Sequence, residues 1–307
     1  MGKNILSTSH LSKKFKSFTA LDDVTINLEK GKIYGLIGKN GAGKTTLMRI
    51  IAGLSYPTTG TIELFGKSDS KEYSKELAKV GTLIEYPGLN GKMTAKQNIK
   101  VNKIMRGIHD DQIDNELLKM VGLEAVGKKK VKNYSLGMRQ RLGIAVAMLS
   151  NPELLILDEP VNGLDPVGVV EIRNLIKKLN EEKGITVLIS SHNLPELYQT
   201  ATDYIIIDKG KVKQSLTLQE LEERCEHYIQ IECSDSEALA KVIETKLGTK
   251  KYKIMPDKSV RLYDYTEEKE KISSILYENG IQITQFSLEG ETLENYFLNV
   301  IGDDAND

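Results

Sequence analysis

Residues 38–45 read Gly-Lys-Asn-Gly-Ala-Gly-Lys-Thr, a complete G-x-x-x-x-G-K-T pattern, and no other segment narrows the possible folds as far. The pattern works only between a strand and a helix. The apolar run Lys32-Ile33-Tyr34-Gly35-Leu36-Ile37 precedes it, and Leu47, Ile50, Ile51 and Leu54 follow at i, i+3, i+4 and i+7, the spacing of one helix face. Successive backbone N–H groups of a glycine-rich turn form a concave anion nest, and a helix N-terminus adds positive partial charge. An α/β core that offers this loop to a phosphate group is therefore expected. Lys44 can reach the β- and γ-phosphates of a nucleotide, and the Thr45 hydroxyl is placed to ligate Mg²⁺. The nucleotide-binding candidates are Gly38, Asn40, Gly41, Ala42, Gly43, Lys44, Thr45 and Thr46.

A second motif, Leu154-Leu155-Ile156-Leu157-Asp158-Glu159, reads as a hydrophobic strand ending in two carboxylates. Asp158 is the second Mg²⁺ candidate, directly or through water. Glu159, one residue on, points elsewhere and can polarise an attacking water as general base. Taken alone, the two acids would be a solvated strand end; beside a phosphate loop they complete a site.

With 307 residues the chain exceeds the ~250–300 at which one core stops growing, so two domains are expected. Lys and Arg number 42 against 43 Asp and Glu, which gives no global field for nucleic acid or acidic lipid. The longest apolar runs fall short of the ~18–20 residues of a membrane span. The first residues are polar and mixed, unlike a secretory leader. Cys225 and Cys233 have no metal-ligand spacing and are too few for a disulfide framework. These features predict a reduced, cytoplasmic, soluble chain; if it acts at a membrane, another polypeptide must supply the span.

Val24, Ile26 and Leu28 alternate as a strand before the turn at Glu29-Lys30-Gly31, and Thr61–Phe65 reads as another. Residues 94–150 are mainly helical: Thr94 caps a helix carrying Ile99 and Ile104, and a second carries Ile113, Leu117, Met120 and Val121. From residue 150 the pattern is strand–helix–strand, with continuous apolar runs at 154–157 and 186–189, as buried parallel strands require. Ile172, Leu175, Ile176 and Leu179 mark the helix between them. Beyond about residue 220 an acidic linker helix leads to β-α-β-β-α-β plus a helix, the ferredoxin-like order. The boundaries expected are 1–219 for the nucleotide-binding domain, with a helical subdomain at about 86–150, and 220–307 for an accessory α+β domain.

Between these motifs stands Tyr134-Ser135-Leu136-Gly137-Met138, 23 residues before Asp158. Asn162-Gly163-Leu164-Asp165 follows Pro160, and Ser190-Ser191-His192 ends the next strand. In this order the segments resemble the nucleotide-binding subunit of an ABC transporter over residues 1 to about 215. The resemblance implies a P-loop NTPase core of ABC type that binds ATP and Mg²⁺ and hydrolyses ATP. Ser135 and Gly137 stand in the family's LSGGQ signature, which caps the γ-phosphate held by another subunit; Leu136 replaces its first Gly and Met138 its Gln. Asp165 falls in the family's D-loop and His192 at its switch histidine, where imidazole can bond the γ-phosphate. Phe15 lies where the family stacks an aromatic ring on adenine, with Phe18 as rival. Glu85 occupies the place of a Gln that contacts Mg²⁺ and water, and it brings a full negative charge there.

The resemblance further implies a head-to-tail homodimer and an integral-membrane permease docked near the Glu85 loop. The Leu-Ile-Glu segment, the altered signature and the C-terminal domain resemble the branch of bacitracin-resistance and lantibiotic-immunity exporters. The alternative is a soluble ABC ATPase working on nucleic acid or ribosomes. One phosphate loop and no heptad run argue against it, and no nucleic-acid partner is expected.

Overall fold

The computed structural model of the chain describes residues 3–68, 70–110 and 112–302. Residue contacts divide it into one unit ending at Leu218 and a second beginning at Gln219.

The first unit opens with the hairpin β1 (Asn4–Phe15) and β2 (Phe18–Glu29), then β3 (Ile33–Ile37), α1 (Lys44–Ile51) and β4 (Thr59–Leu64). β1 lies between β2 and β4 in an antiparallel sheet. Next come α2 (Ser70–Glu76), β5 (Val80–Leu83) and three helices of the insertion, α3 (Ala95–Met105), α4 (Ile113–Met120) and α5 (Leu136–Ala147). β6 (Leu154–Asp158), α6 (Pro166–Lys183), β7 (Thr186–Ser191), α7 (Leu194–Tyr198), β8 (Asp203–Asp208) and β9 (Lys211–Thr217) complete the unit. The main sheet runs β5-β6-β7-β3-β8-β9, parallel except for the antiparallel edge strand β9. Every residue of β3, β6, β7 and β8 is buried, which is why these strands read as unbroken apolar runs rather than alternating ones. The antiparallel sheet, α1 and one face of the main sheet share a core that includes Leu6, Leu28, Leu36, Leu47, Ile51 and Ile156. Parallel strands place their carboxyl ends together, and in such sheets ligands bind outside those ends. The phosphate loop after β3, Asp158 at the end of β6 and His192 just after β7 all lie at that edge.

The insertion differs in places from its sequence pattern. Thr94 caps α3 in a full capping box with Gln97. Ile99 is buried, but Ile104 is 66% exposed. The inward position belongs to Lys103, whose ammonium lies 3.1 Å from the buried Asp114 carboxylate on α4. α5 is apolar on more than one face because it is enclosed; a Cβ at Gly143 would come within 2.7 Å of Pro87 Cβ. α2 went unanticipated because it is polar, with Tyr73 buried and its hydroxyl donating to Ile51 O at 2.7 Å. β4 begins at Thr59, and Phe65 leaves it for a turn at φ 51°.

The second unit contains α8 (Leu218–Cys225), whose first residue belongs to the first unit, and then β10 (Tyr228–Cys233), α9 (Ser236–Val242), β11 (Tyr252–Ile254), β12 (Val260–Leu262), α10 (Lys269–Glu278), β13 (Ile283–Glu289) and α11 (Leu293–Gly302). Its sheet order, β11-β12-β10-β13, with every pair antiparallel, is the ferredoxin-like arrangement. Ile229, Ile231, Val260 and Leu262 bury one sheet face against Leu239, Ile243, Ile272 and Leu276. Residues 235–247 read as one helix; here α9 stops at Val242, and a π-helical turn, Ile243–Leu247, carries the chain to Gly248 at φ 69°.

Candidate functional site

The loop after β3 folds around two left-handed glycines, Gly41 at φ 85° and Gly43 at φ 107°. Gly43 is also the N-cap of α1, and no side chain caps that end. The first N–H groups of the helix are therefore left for an external acceptor, as an anion site requires. Gly38 is fixed by crowding, because a Cβ there would come within 2.4 Å of Ile207 O. Ala42 is buried, Asn40 and Gly41 are exposed, and Thr45 and Thr46 are half-buried.

Lys44 is only 5% exposed. Its ammonium donates to Gly38 O at 2.7 Å and Lys39 O at 3.3 Å, and Glu159 Oε1 lies 3.4 Å away. A buried ammonium needs such partners. Thr45 Oγ1 donates to Asp158 Oδ2 at 2.8 Å, which brings together the two oxygen-bearing side chains expected at a metal. Asp158 Oδ1 accepts from Ser190 Oγ at 2.6 Å, and the same hydroxyl accepts the Glu159 N–H at 2.9 Å. Glu159 sits at φ 45°, a left-handed conformation that costs a non-glycine residue about 1–3 kcal/mol. The two carboxylates have different partners. Glu159 Oε2 meets His192 Nδ1 at 3.0 Å and the Asn162 side-chain amide at 3.2 Å. A carboxylate only accepts, so the imidazole presents an N–H to it.

Lys44, Thr45, Asp158, Glu159 and His192 thus form one bonded cluster. Ser135 and Asp165 do not join it. Each caps a helix: Ser135 Oγ accepts from Met138 N at 3.2 Å at the start of α5, and Asp165 Oδ1 accepts from Gly168 N at 2.9 Å at the start of α6. Both line a separate cavity of about 300 Å³, with Leu136, Gly137, Gly163 and Leu164. Glu85, in the turn after β5 at φ 63°, pairs with Arg49 Nη2 at 2.6 Å. Its carboxylate makes no bond to Thr45 or Asp158. Phe15 and Phe18 face each other across the β1–β2 hairpin, 49% and 60% exposed, and Lys13 Nζ lies 4.9 Å from the Phe15 ring centre.

Sequence reasoning missed Ser190, Asn162 and Arg49. Ser190 was legible only through sheet register, since it pairs with Asp158 across β6 and β7. Asn162 stands three residues after Glu159 in a turn, and Arg49 four after Thr45 on one helix face, but neither spacing names a partner.

Residues 21–162 match the ABC transporter family. The chain is 40% identical over 298 residues to the bacitracin transport ATP-binding protein BcrA of Bacillus licheniformis, covering 97% of each. It is 44% identical over 208 residues to the lantibiotic transport ATP-binding protein SrtF of Streptococcus pyogenes, covering 68% of this chain and 89% of that one. Among solved structures it resembles a dimeric, post-hydrolysis ATP-binding cassette bound to ADP and Pi, with 28% identity, TM-score 0.63, and 69% and 98% of the two chains covered. The chain belongs to the family of ABC transporter ATP-binding subunits, and the reaction of its site is ATP hydrolysis.

Proposed function

We propose that this chain is the cytoplasmic motor of an exporter of a peptide antibiotic, held at the inner face of the membrane by a separate permease. The observation that carries this reading is the match to a bacitracin transport subunit along 97% of both chains, accessory domain included. Among the described residues no helix is long and apolar enough to cross a membrane, so the translocation path belongs to the permease. The exposed side chains of Leu54 and Tyr86 line a cavity with Ile84 and Pro87 on either side of Glu85 and supply an apolar surface for it.

In this reading the role of each residue combines its place in the structure with the family resemblance. The open N–H groups at the start of α1 and the left-handed glycines cradle the phosphates. Lys44 exchanges its carbonyl partners for phosphate oxygens. Thr45 and Asp158 would hold Mg²⁺; their oxygens are hard donors already within hydrogen-bonding distance, which suits that ion. When bound, Mg²⁺ supplies charge neutralisation on the phosphates. Glu159 takes the proton of the attacking water, while His192 and Asn162 fix its carboxylate. Phe15 stacks on adenine. Ser135, Gly137 and Asp165 line a cavity outside the bonded cluster, and the resemblance assigns them to the nucleotide of a second copy in a two-fold head-to-tail dimer.

The test co-expresses the chain with a candidate permease in a bacitracin- or lantibiotic-sensitive host. Resistance is expected with the parent chain and is lost with Glu159→Gln, which keeps ATP-dependent dimerisation while turnover drops about 10²–10⁴-fold. Unchanged turnover in that variant refutes the role of Glu159, and no resistance with any permease refutes the substrate class.

A further inference from the structure

We propose that Arg49 is a positioning residue: it holds Glu85 at rest, one helical turn away from the metal-binding end of α1, and competes with the metal–nucleotide for that carboxylate. The inference rests on the resemblance that puts Glu85 in the place of a Mg²⁺-contacting Gln, and on the proposed Mg²⁺ site at Thr45 and Asp158.

Thr45 and Arg49 are four residues apart on α1, so they lie on the same helix face, separated by one turn or roughly 6 Å. Glu85 is therefore tied to a side chain of the same helix face that presents Thr45 to the metal. Its carboxylate lies 2.6 Å from Arg49 Nη2. Thr45 is bonded instead to Asp158. The pair is about half exposed on both sides, 45% and 52%, so water and salt screen it and it can open without leaving a buried charge. A glutamine at position 85 could accept a hydrogen bond from Arg49, but it would carry no charge to be drawn between guanidinium and metal. The exchange of Gln for Glu and the arginine one turn along the helix thus act together. The arginine neutralises the added carboxylate until a stronger cation arrives.

The experiment uses the full chain carrying Glu159→Gln, so that nucleotide stays bound without turnover, and follows a fluorescent ATP analogue as Mg²⁺ is raised. Arg49→Ala is expected to lower the half-saturating Mg²⁺ about three- to fivefold, the size of losing an exposed ion pair. Arg49→Lys, which keeps the charge but loses the planar fork, falls between. In chains that also carry Glu85→Gln, the Arg49→Ala shift is expected to vanish, since the two substitutions act through one contact. Binding measured in EDTA stays equal in all variants, which separates the effect from damage to the fold. An unchanged half-saturating Mg²⁺ in Arg49→Ala overturns the inference, and so does a shift that persists in the Glu85→Gln background. Absence of nucleotide binding in the Glu159→Gln parent overturns the reading of the site itself.

Discussion

Ser190 places two acids with one hydroxyl, donating to Asp158 at 2.6 Å and accepting the Glu159 N–H at 2.9 Å. It is fully buried, so removing the hydroxyl leaves a buried carboxylate oxygen and a backbone N–H unsatisfied. Ser190→Ala is expected to cost about 1–3 kcal/mol of stability. It should also raise the Mg²⁺ needed for nucleotide binding, because Asp158 loses one of its two anchors; Ser190→Thr restores the hydroxyl and both properties. Thermal melting and Mg²⁺ titration check this, and equal values for Ala and parent would contradict it. At this scale the sequence was legible wherever chemistry is contiguous. The phosphate loop and the Asp158-Glu159 pair announce themselves as strings. Ser190 did not, because its meaning depends on a neighbouring strand. Phe15 and Phe18 are equally placed as strings and both exposed at one hairpin tip, so the sequence left their roles open.

Among elements, α3 marks where periodicity stops being informative. Its inward face is Ala95, Asn98, Ile99 and Lys103, half of it polar. Asn98 is buried and bonds the backbone of Asn90 and Thr94, so it pins the segment that leads into the helix. Lys103 reaches Asp114 and also donates to Asp110 O at 2.8 Å. A reading that sends apolar residues inward therefore chooses Ile104, and the helix is turned slightly from that expectation. Asp114→Ala leaves the buried Lys103 ammonium without its carboxylate, with Asp110 O still accepting from it, and is expected to destabilise the helical insertion by about 3 kcal/mol. The double change Lys103→Met, Asp114→Leu is expected to recover most of the loss. Hydrogen exchange of α3 and α4 measures it, and a double variant no better than Asp114→Ala would count against the pair as the cause. The parallel strands were legible for the opposite reason: burial on both faces writes them as unbroken apolar runs.

Taken whole, the chain is two units with separate cores, and they answer acid in their own ways. In the second unit Asp257 and Asp264 are held below the usual carboxylate range, chiefly by the hydroxyls of Ser259 and Thr249. A carboxylate whose folded pKa is depressed adds stability above its unfolded value of about 4, and that stability is lost as pH falls through the folded value. Melting of the second unit is therefore expected to shift downward below about pH 4, and the Ser259→Ala, Thr249→Ala chain to show a shallower dependence. Glu153 is the counterpart in the first unit, held low chiefly by Lys30. A melting curve that responds to acid identically in parent and variant would remove these two carboxylates as the cause. The division into units was legible in composition and strand order. The roles proposed for Ser135 and Asp165 rest on resemblance, because one chain offers each of them a helix to cap rather than a phosphate to bind.

Gly43 and Gly210 meet at a single carbonyl. A Cβ on Gly43 would come within 2.7 Å of Ala20 O, and one on Gly210 within 2.8 Å of the same atom. Both glycines are left-handed, and Gly210 N donates to Ala42 O at 3.0 Å. Three stretches of backbone, from β2, the phosphate loop and the β8–β9 turn, therefore touch with no room for a side chain. A substitution scan scored by growth will find position 210 as intolerant as position 43, although only position 43 belongs to the phosphate loop. Intolerance maps alone will draw the catalytic pocket one hairpin too wide, and nucleotide titration of each variant is what draws its true edge.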